Sequence, residues 1–329
     1  MIHARLYDAD GRDREIDPEP GIADRIKDRQ LLWIDVEGRD RADLETLASA
    51  VGIGRHLAGR LAEERGRADL TQYSDHIHLV LETMEAAARH GDDARNGSDA
   101  EPERRELDVV AGRNWVVTVH SDPTPVLDRF DDLTRGDTQY GALDAAGFIA
   151  AIVDEALAGY LELAEEIERE IDRLDERALR TRPHDDVLAR IVELRRRIGL
   201  IRRTLTPHRL AFAALARPEM ELREELGRPW PGLTDRLDRA IDGVENLRNL
   251  LLGTYDIHMG RAAQDANEIM KRLTLLSAVL LPAVVLAGVM GMNFRVDFFE
   301  DSANFWVVVG TMALFGVSLL AAARWRGWL

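Results

Sequence analysis

Residues 273–292 read LTLLSAVLLPAVVLAGVMGM, a run of twenty residues without a charged side chain. At about 1.5 Å of rise per residue, a helix over this run covers about 30 Å, the thickness of the hydrocarbon core of a membrane. A second uncharged run, FWVVVGTMALFGVSLLAAA, occupies residues 305–323. A buried hairpin in a soluble protein is the alternative, but buried helices of this length rarely lack every charge. The two runs therefore predict two C-terminal transmembrane helices.

The charges around the two runs predict the orientation of the hairpin. Lys271 and Arg272 precede the first run, and Arg324 and Arg326 follow the second. The loop between the runs has one arginine and three acids, namely Asp297, Glu300 and Asp301. We expect the hairpin to lie in the cell (inner) membrane. Because Lys and Arg favour the cytoplasmic side, both chain ends should face the cytoplasm, and the loop should lie on the outer side. The three acids would raise the cation concentration at the outer mouth.

The remaining charge is concentrated in the body of the chain. The net charge is -16, and residues 271–329 contribute +2 from five Lys/Arg and three acids, which leaves -18 for residues 1–270. This acidic balance argues against nucleic-acid binding, because phosphates need a basic face. The absence of cysteine excludes disulfides, Cys-ligated zinc and thiolate catalysis. We find no phosphate-binding or nucleophile motif, so no enzyme and no cofactor are expected.

The N-terminal part of the body predicts an α/β domain. Four short runs rich in branched and aromatic residues predict strands at 31–38, 76–84, 105–112 and 114–121. A turn at 112–114 would join the last two. RADLETLASAVGI (41–53) predicts a helix, and the charged segment 88–105 predicts a solvated loop.

Helical patterns replace the strand patterns from about residue 145. The last helix is expected to start near Thr234, a good N-cap, and to run into the first span. Its only proline, Pro282, lies inside the span, where neighbouring helices can satisfy the freed carbonyl. Such a helix from Thr234 to Asn293 would be roughly 90 Å long.

One face of this long helix forms a seam of mostly small or polar residues at steps of three and four. The seam consists of Asn249, Gly253, Asp256, Gly260, Ala263, Asn267, Met270, Thr274, Ser277, Leu281, Val284, Gly288 and Gly291. Two interpretations remain open: the seam lines a narrow water path along an oligomer axis, or its small residues permit close helix contacts. The first interpretation requires several copies, because one two-span subunit cannot enclose a pore.

The segment NEIMKRLTLLSAVLLPAVVLAGVMGMNF (267–294) resembles the signature of the CorA-type metal-ion transporter superfamily, which includes CorA magnesium and cobalt channels and ZntB zinc transporters. The GMN tripeptide follows the first of two C-terminal spans, and the chain ends with Trp328-Leu329 after basic residues. The resemblance implies an α+β membrane protein that assembles as a homopentamer. It would have a cytoplasmic α/β domain (1–140), a helical funnel with the start of the pore helix (141–272) and a two-span transmembrane domain (273–329).

The resemblance also implies roles for individual residues. Gly291, Met292 and Asn293 would form the selectivity filter, in which Asn293 holds a hydrated ion. The resemblance and the seam together give the pore-lining positions Asn267, Met270, Leu273, Thr274, Ser277, Leu281, Val284 and Gly288. Asp256 falls where CorA channels have an acid that bridges subunits through regulatory divalent ions.

The expected function is passage of hydrated Mg²⁺, and also Co²⁺ or Ni²⁺, down the electrochemical gradient, with divalent ions as substrate and as regulators. Two departures leave the physiological ion open: Met290 and Arg295 stand where many CorA channels have a tyrosine and an acid. A ZntB-like zinc transporter, perhaps coupled to protons, is the first alternative, with His76, His78 and His258 as candidate ligands. A membrane-anchored ion sensor that does not transport is the second.

Overall fold

The computed structural model describes residues 1–85, 102–134, 145–180, 185–215, 230–292 and 302–327. Contacts divide the chain into two compact units. The first unit contains residues 1–174 and 188–254, and the second contains residues 175–187 and 255–329. The predicted domain boundaries after residues 140 and 272 stay predictions.

A seven-stranded sheet forms the centre of the first unit. Its strands are β1 (Ile2–Asp8), β2 (Arg14–Glu15), β3 (Gln30–Glu37), β4 (Asp69–Gln72), β5 (Ile77–Glu85), β6 (Glu103–Ala111) and β7 (Trp115–His120). The order across the sheet is β2-β1-β3-β7-β6-β5-β4, and all neighbours are antiparallel except β3 and β7. The four predicted strands are confirmed to within two residues at each end.

The predicted loop at 88–105 is wrong at its C-terminal end. Glu103, Arg104 and Arg105 begin strand β6 and pair with the last three residues of β5. These charged residues stay in the strand because their backbones complete the ladder, while the Arg105 guanidinium donates to the Glu103 carboxylate at 2.6 Å. Residues 88–101 lie outside the described residues.

Helices α1 (Arg41–Val51) and α2 (Arg55–Leu61) cover one face of the sheet. Their buried leucines, such as Leu47 and Leu57, pack in one cluster with Ile34 and Val117 of the sheet. Helix α1 ends at Gly52, whose φ of 76° is left-handed and whose N–H donates to the Ala48 carbonyl at 3.0 Å. The predicted helix at 41–53 is therefore confirmed, with its end two residues earlier.

Aromatic side chains fill the other face of the sheet. Helix α3 (Pro125–Thr134) contributes Phe130, and helix α4 (Ala145–Arg180) contributes Phe148. Their ring centroids lie 5.7 Å and 5.6 Å from that of Trp33 on β3, and 4.9 Å from each other. These edge-on and tilted ring pairs attach the first helices of the long-helix region to the sheet.

Long helices complete the first unit. Helix α5 (Asp185–Leu205) and helix α6 (His208–Leu215) follow α4, and helix α7 runs from Trp230 to Met290. Glu170 of α4 accepts a hydrogen bond from Arg197 of α5 at 3.0 Å, and Asp154 of α4 pairs with Arg236 of α7 at 2.7 Å. The predicted start of α7 near Thr234 is confirmed to within a turn.

The second unit contains the two apolar helices. Helix α7 has 61 residues and continues through Pro282 to Met290, and helix α8 spans Ser302–Trp325. Both helices are long and apolar enough to cross a membrane, and the most apolar stretch of each has no residue buried within this chain. Leaving so much apolar surface in water would be costly, which supports the predicted transmembrane helices.

Candidate functional site

The seam of α7 is exposed along its second half. Met270, Leu273, Leu281 and Val284 have exposed fractions of 65%, 61%, 67% and 65%. The polar and small members of the predicted pore lining are exposed as well; these are Asn267, Thr274, Ser277 and Gly288. All eight predicted pore-lining positions therefore lie on a face that the described part of the chain leaves uncovered.

Helix α8 packs against the opposite face of α7. A Cβ atom added at Gly316 of α8 would lie 3.7 Å from Val279 Cγ1. Partly buried positions at helical spacing mark the same face of α7; they are Leu275, Val279, Ala283 and Met290. At about 100° of helix per residue, the eight pore-lining positions lie about 120° to 180° away from Val279. Within the hairpin, α8 thus packs on one face of α7, and the seam on the opposite face is left for contacts with other molecules.

A hydroxyl group in the seam has a fixed orientation. The Thr274 hydroxyl donates to the Met270 carbonyl at 2.8 Å, one turn earlier in the helix. Its hydrogen is therefore used within the helix, and the oxygen of this exposed residue keeps both lone pairs for accepting hydrogen bonds. Such an oxygen accepts hydrogen bonds from water, including the polarised water around a cation.

Helix α7 ends just before the GMN tripeptide. The Gly291 N–H donates to the Ala287 carbonyl at 3.0 Å, and the Met292 N–H donates to the Val289 carbonyl at 3.2 Å. These bonds close the last turn of the first span and bring Gly291 and Met292 to its end. Asn293 and the acids Asp297, Glu300 and Asp301 lie outside the described residues, so their roles stay predictions.

The proposed regulatory acid is accessible. Asp256 lies on an exposed position of α7 and makes no ion pair with another described residue. The described part of the chain contains no group of three or more His, Asp and Glu residues that could hold a metal ion. A metal at Asp256 would need ligands from elsewhere, and its regulatory role stays a prediction.

Two of the histidines suggested as zinc ligands lie beside carboxylates. His78 is on β5, which lies between β4 and β6 in the sheet, and it is fully buried. Its Nε2 lies 2.6 Å from Asp108 Oδ1, and Arg39 donates to the other oxygen of the same carboxylate at 2.7 Å. His76 Nδ1 lies 2.7 Å from the Asp75 carboxylate. His78 is thus part of a buried ion-pair network that has a structural role.

Sequence reasoning missed a polar cavity of about 400 Å³ beside the sheet. Arg5, Asp35 and His120 lie in its wall and come from β1, β3 and the end of β7. His120 Nε2 lies 3.3 Å from Asp35 Oδ2, and its Nδ1 lies 2.7 Å from the Asp122 carbonyl. Both ring nitrogens face acceptors, so the geometry favours the imidazolium. No pattern in the sequence signals this cavity, because its residues are far apart in the chain.

The charge state of His120 follows from two opposed effects. Burial alone would lower the pKa of His120, but the hydrogen bond and negative charge of Asp35, together with the Asp122 carbonyl, outweigh burial and raise it.

Comparison with known proteins agrees with the predicted resemblance to CorA-type transporters over most of the chain. Residues 28–323 match the family model described as "CorA-like Mg2+ transporter protein". The chain is similar to the cobalt/magnesium transport protein CorA of Thermotoga maritima, with 23% identity over 303 residues, 90% of this chain and 83% of that protein.

Two solved structures resemble the fold. The CorA magnesium transporter of Methanocaldococcus jannaschii has a TM-score of 0.77 at 19% identity and covers 100% of this chain and 99% of its own. The ZntB cytoplasmic domain of Vibrio parahaemolyticus has a TM-score of 0.59 at 11% identity and covers 80% of this chain and 99% of its own. The N-terminal α/β fold, the long helix and the two apolar helices are thus shared with the complete CorA structure, and the ZntB domain resembles the part of the fold that it covers. Because the family model covers most of the sequence, the chain belongs to the CorA-like Mg2+ transporter family and is a divalent-cation transporter of the membrane.

Proposed function

We propose that the chain forms a channel for hydrated Mg²⁺, and also for Co²⁺ and Ni²⁺, with the seam of α7 as the wall of the pathway. The observation that carries this proposal is the uncovered seam on the face of α7 opposite to α8. A water-soluble helix contact would bury Leu, Ile and Val there, whereas this seam contains Asn267, Thr274 and Ser277. Polar side chains at these positions are satisfied if they face water.

The pathway requires several copies around a common axis. One α7–α8 hairpin supplies a single wall, and a closed ring of identical walls encloses a pore. We propose the homopentamer that the family resemblance implies. In this ring α7 lines the centre, and α8 contacts the outer face of α7 and the lipid.

Selection would occur at the outer end of α7. Gly291, Met292 and Asn293 are the proposed filter, in which the Asn293 amide contacts the hydration shell of the ion. Magnesium gives up its water reluctantly, so a filter that accepts the hydrated ion avoids the cost of dehydration. Asp297, Glu300 and Asp301 would concentrate cations in front of it.

The membrane potential would drive the flux. We propose that both chain ends face the cytoplasm and that the chain resides in the cell (inner) membrane, because the basic residues flank the two spans on that side. A divalent ion then gains roughly 4.6 kcal/mol per 100 mV on entry. No enzymatic step is needed.

The second candidate function is zinc transport. Arg295 stands at a position where CorA channels often have an acid, and it would repel cations approaching the filter. This departure leaves the transported ion open, and a ZntB-like zinc transport coupled to a proton gradient is the alternative. The buried His78 takes no part in this scheme, because its ring is already engaged by Asp108.

The test is ion uptake into proteoliposomes that contain the full chain. Mg²⁺, Co²⁺, Ni²⁺ and Zn²⁺ are compared with and without a pH gradient, for the native chain and for Asn293→Ala. Asn114→Ala is the matched control, since Asn114 lies in the β6–β7 turn and is not among the proposed pathway residues.

We expect Mg²⁺ flux that follows the membrane potential, ignores the pH gradient and falls at least about tenfold in Asn293→Ala, which corresponds to about 1.4 kcal/mol. Zn²⁺ flux that grows with the proton gradient would support the second candidate. If no ion enters the proteoliposomes, transport is rejected, and the membrane-anchored ion sensor is the remaining candidate.

A further inference from the structure

One end of the span hairpin collects four basic residues. The Lys271 ammonium, at the start of the first span, donates to the Gly327 carbonyl at 3.2 Å, just after the second span. Gly327 has a φ of 69°, and its N–H donates to the Arg324 carbonyl at 3.1 Å. This left-handed turn ends α8 beside the start of the first span. Arg272, Arg324 and Arg326 therefore lie at the same end of the hairpin as Lys271.

Little in the described chain neutralises this end. Glu268 lies 3.5 Å from Arg272 in an exposed pair on α7. Arg324 and Arg326 are both exposed, and neither makes an ion pair with a described residue. Four basic residues with one acid beside them leave this end of the hairpin with a net positive charge among the described residues.

An aromatic side chain lies between the two free arginines. Trp325 is 89% exposed, although its neighbours on the N-terminal side belong to the uncharged second span. Tryptophan at such a boundary places its apolar ring among acyl chains and its N–H among headgroups. The boundary between membrane and water is thus at the level of Arg324 and Arg326.

We propose that Lys271, Arg272, Arg324 and Arg326 form a binding site for the phosphate of anionic phospholipids, with Trp325 against the adjoining acyl chain. Guanidinium groups bind phosphate oxygens in bidentate geometry, and basic residues beside a span attract anionic headgroups. A lipid is the favoured ligand because the patch is continuous with apolar helix surface that no described residue of this chain covers. The site rests on the membrane location of the two spans and is independent of which ion is transported.

The test measures lipid preference without measuring transport. The full chain is placed in nanodiscs of mixed phosphatidylcholine and phosphatidylglycerol, and the lipids that stay bound after release are counted by native mass spectrometry. The native chain retains phosphatidylglycerol in preference to phosphatidylcholine. Arg324→Gln with Arg326→Gln lowers this preference by about fivefold per charge, or roughly 25-fold for both.

The control is Arg195→Gln with Arg202→Gln, which removes two exposed arginines of α5 in the other unit and leaves the preference unchanged. If the Gln pair does not fold, the native chain is measured at rising salt, where screening lowers the preference. An unchanged preference in the Gln pair, or in the native chain at high salt, overturns the proposal. A Gln pair that instead lowers the oligomer mass would identify the patch as a contact between copies and also overturn it.

Discussion

His208 is a buried titratable residue that connects the sheet to the long helices. Its Nε2 accepts a hydrogen bond from the Glu82 N–H of β5 at 3.1 Å, and its Nδ1 lies 3.1 Å from the Thr204 carbonyl at the end of α5. The carbonyl can only accept, so the proton is on Nδ1 and the ring is neutral. Protonation of Nε2 would break the contact with β5.

Burial lowers the pKa of His208 from 6.5 to about 4, against the smaller opposing effect of the Leu205 and Thr204 carbonyls. The unfolded chain therefore binds more protons than the folded chain between these two values, and stability falls as the pH falls through that window. Between pH 7 and pH 5 the loss is about 2 kcal/mol.

We predict that the melting temperature of the full chain in detergent falls more steeply between pH 7 and pH 5 than that of His208→Gln, which has no titrating ring. Tryptophan fluorescence during heating measures both. His56→Gln, which changes an exposed histidine, should keep the native slope. Equal slopes for the native chain and His208→Gln would show that His208 does not control acid stability.

The helix hairpin of the second unit depends on close approach of α7 and α8 at Gly316. The Cβ position of Gly316 lies 3.7 Å from Val279 Cγ1, which is ordinary contact distance. The corresponding position at Gly310 has no atom within 4 Å. These two glycines of one helix therefore differ in whether they face α7.

We predict that Val279→Cys with Gly316→Cys forms a disulfide under mild oxidation, whereas Val279→Cys with Gly310→Cys does not. The native chain has no cysteine, so no other thiol competes. Mass spectrometry after cleavage between the spans detects the intramolecular link. Equal linking of both pairs would contradict the packing of α8 on the face of α7 opposite to the seam.

At the scale of single elements, the sequence predicted the strands and helices that have a clear hydrophobic pattern. The buried strands β3, β5, β6 and β7 were found because branched residues fill them, and both transmembrane helices were found because they lack charge. Strand β1 was missed, because its alternation is short and breaks at Tyr7, which is buried directly after the buried Leu6. Strand β4 was missed because it has four residues and one hydrophobic side chain, Leu70.

On the scale of the whole molecule, the excess acidity of residues 1–270 suggests feedback from cytoplasmic cations. In an oligomer, the segments 1–270 of neighbouring copies each carry about -18 and repel one another, and divalent ions between them would cancel the repulsion and favour a closed state. Asp256 is the acid on α7 where such an ion would bind.

We predict that Asp256→Asn weakens inhibition by cytoplasmic Mg²⁺, so that uptake at millimolar internal Mg²⁺ rises by at least about fivefold. Uptake into proteoliposomes preloaded with or without Mg²⁺ measures the inhibition. Asp242→Asn, an exposed acid earlier on α7, is the control and should behave like the native chain. Unchanged inhibition in Asp256→Asn would remove this residue from the regulation.

The seam of α7 was predictable from the sequence, because it lies along one helix face, whereas its role as the ion pathway stays a prediction. Steps of three and four place Asn267, Thr274 and Ser277 on the same side whatever surrounds the helix. The sequence could not establish which face of α7 the second span covers, since an almost uniformly apolar α8 has no preferred side. The contact at Gly316 supplies that information.

Pro282 gives the first span a point of bending. Its ring has no N–H to donate to the Ala278 carbonyl, so one bond of the helix is missing at about half the depth of the span. The halves before and after this point can tilt against each other without breaking a further backbone bond. The proposed pathway could therefore widen at its inner pore-lining positions, Met270 and Leu273, while the turn at Gly291 keeps its shape, which would separate opening at the inner end from recognition of the ion at the outer mouth.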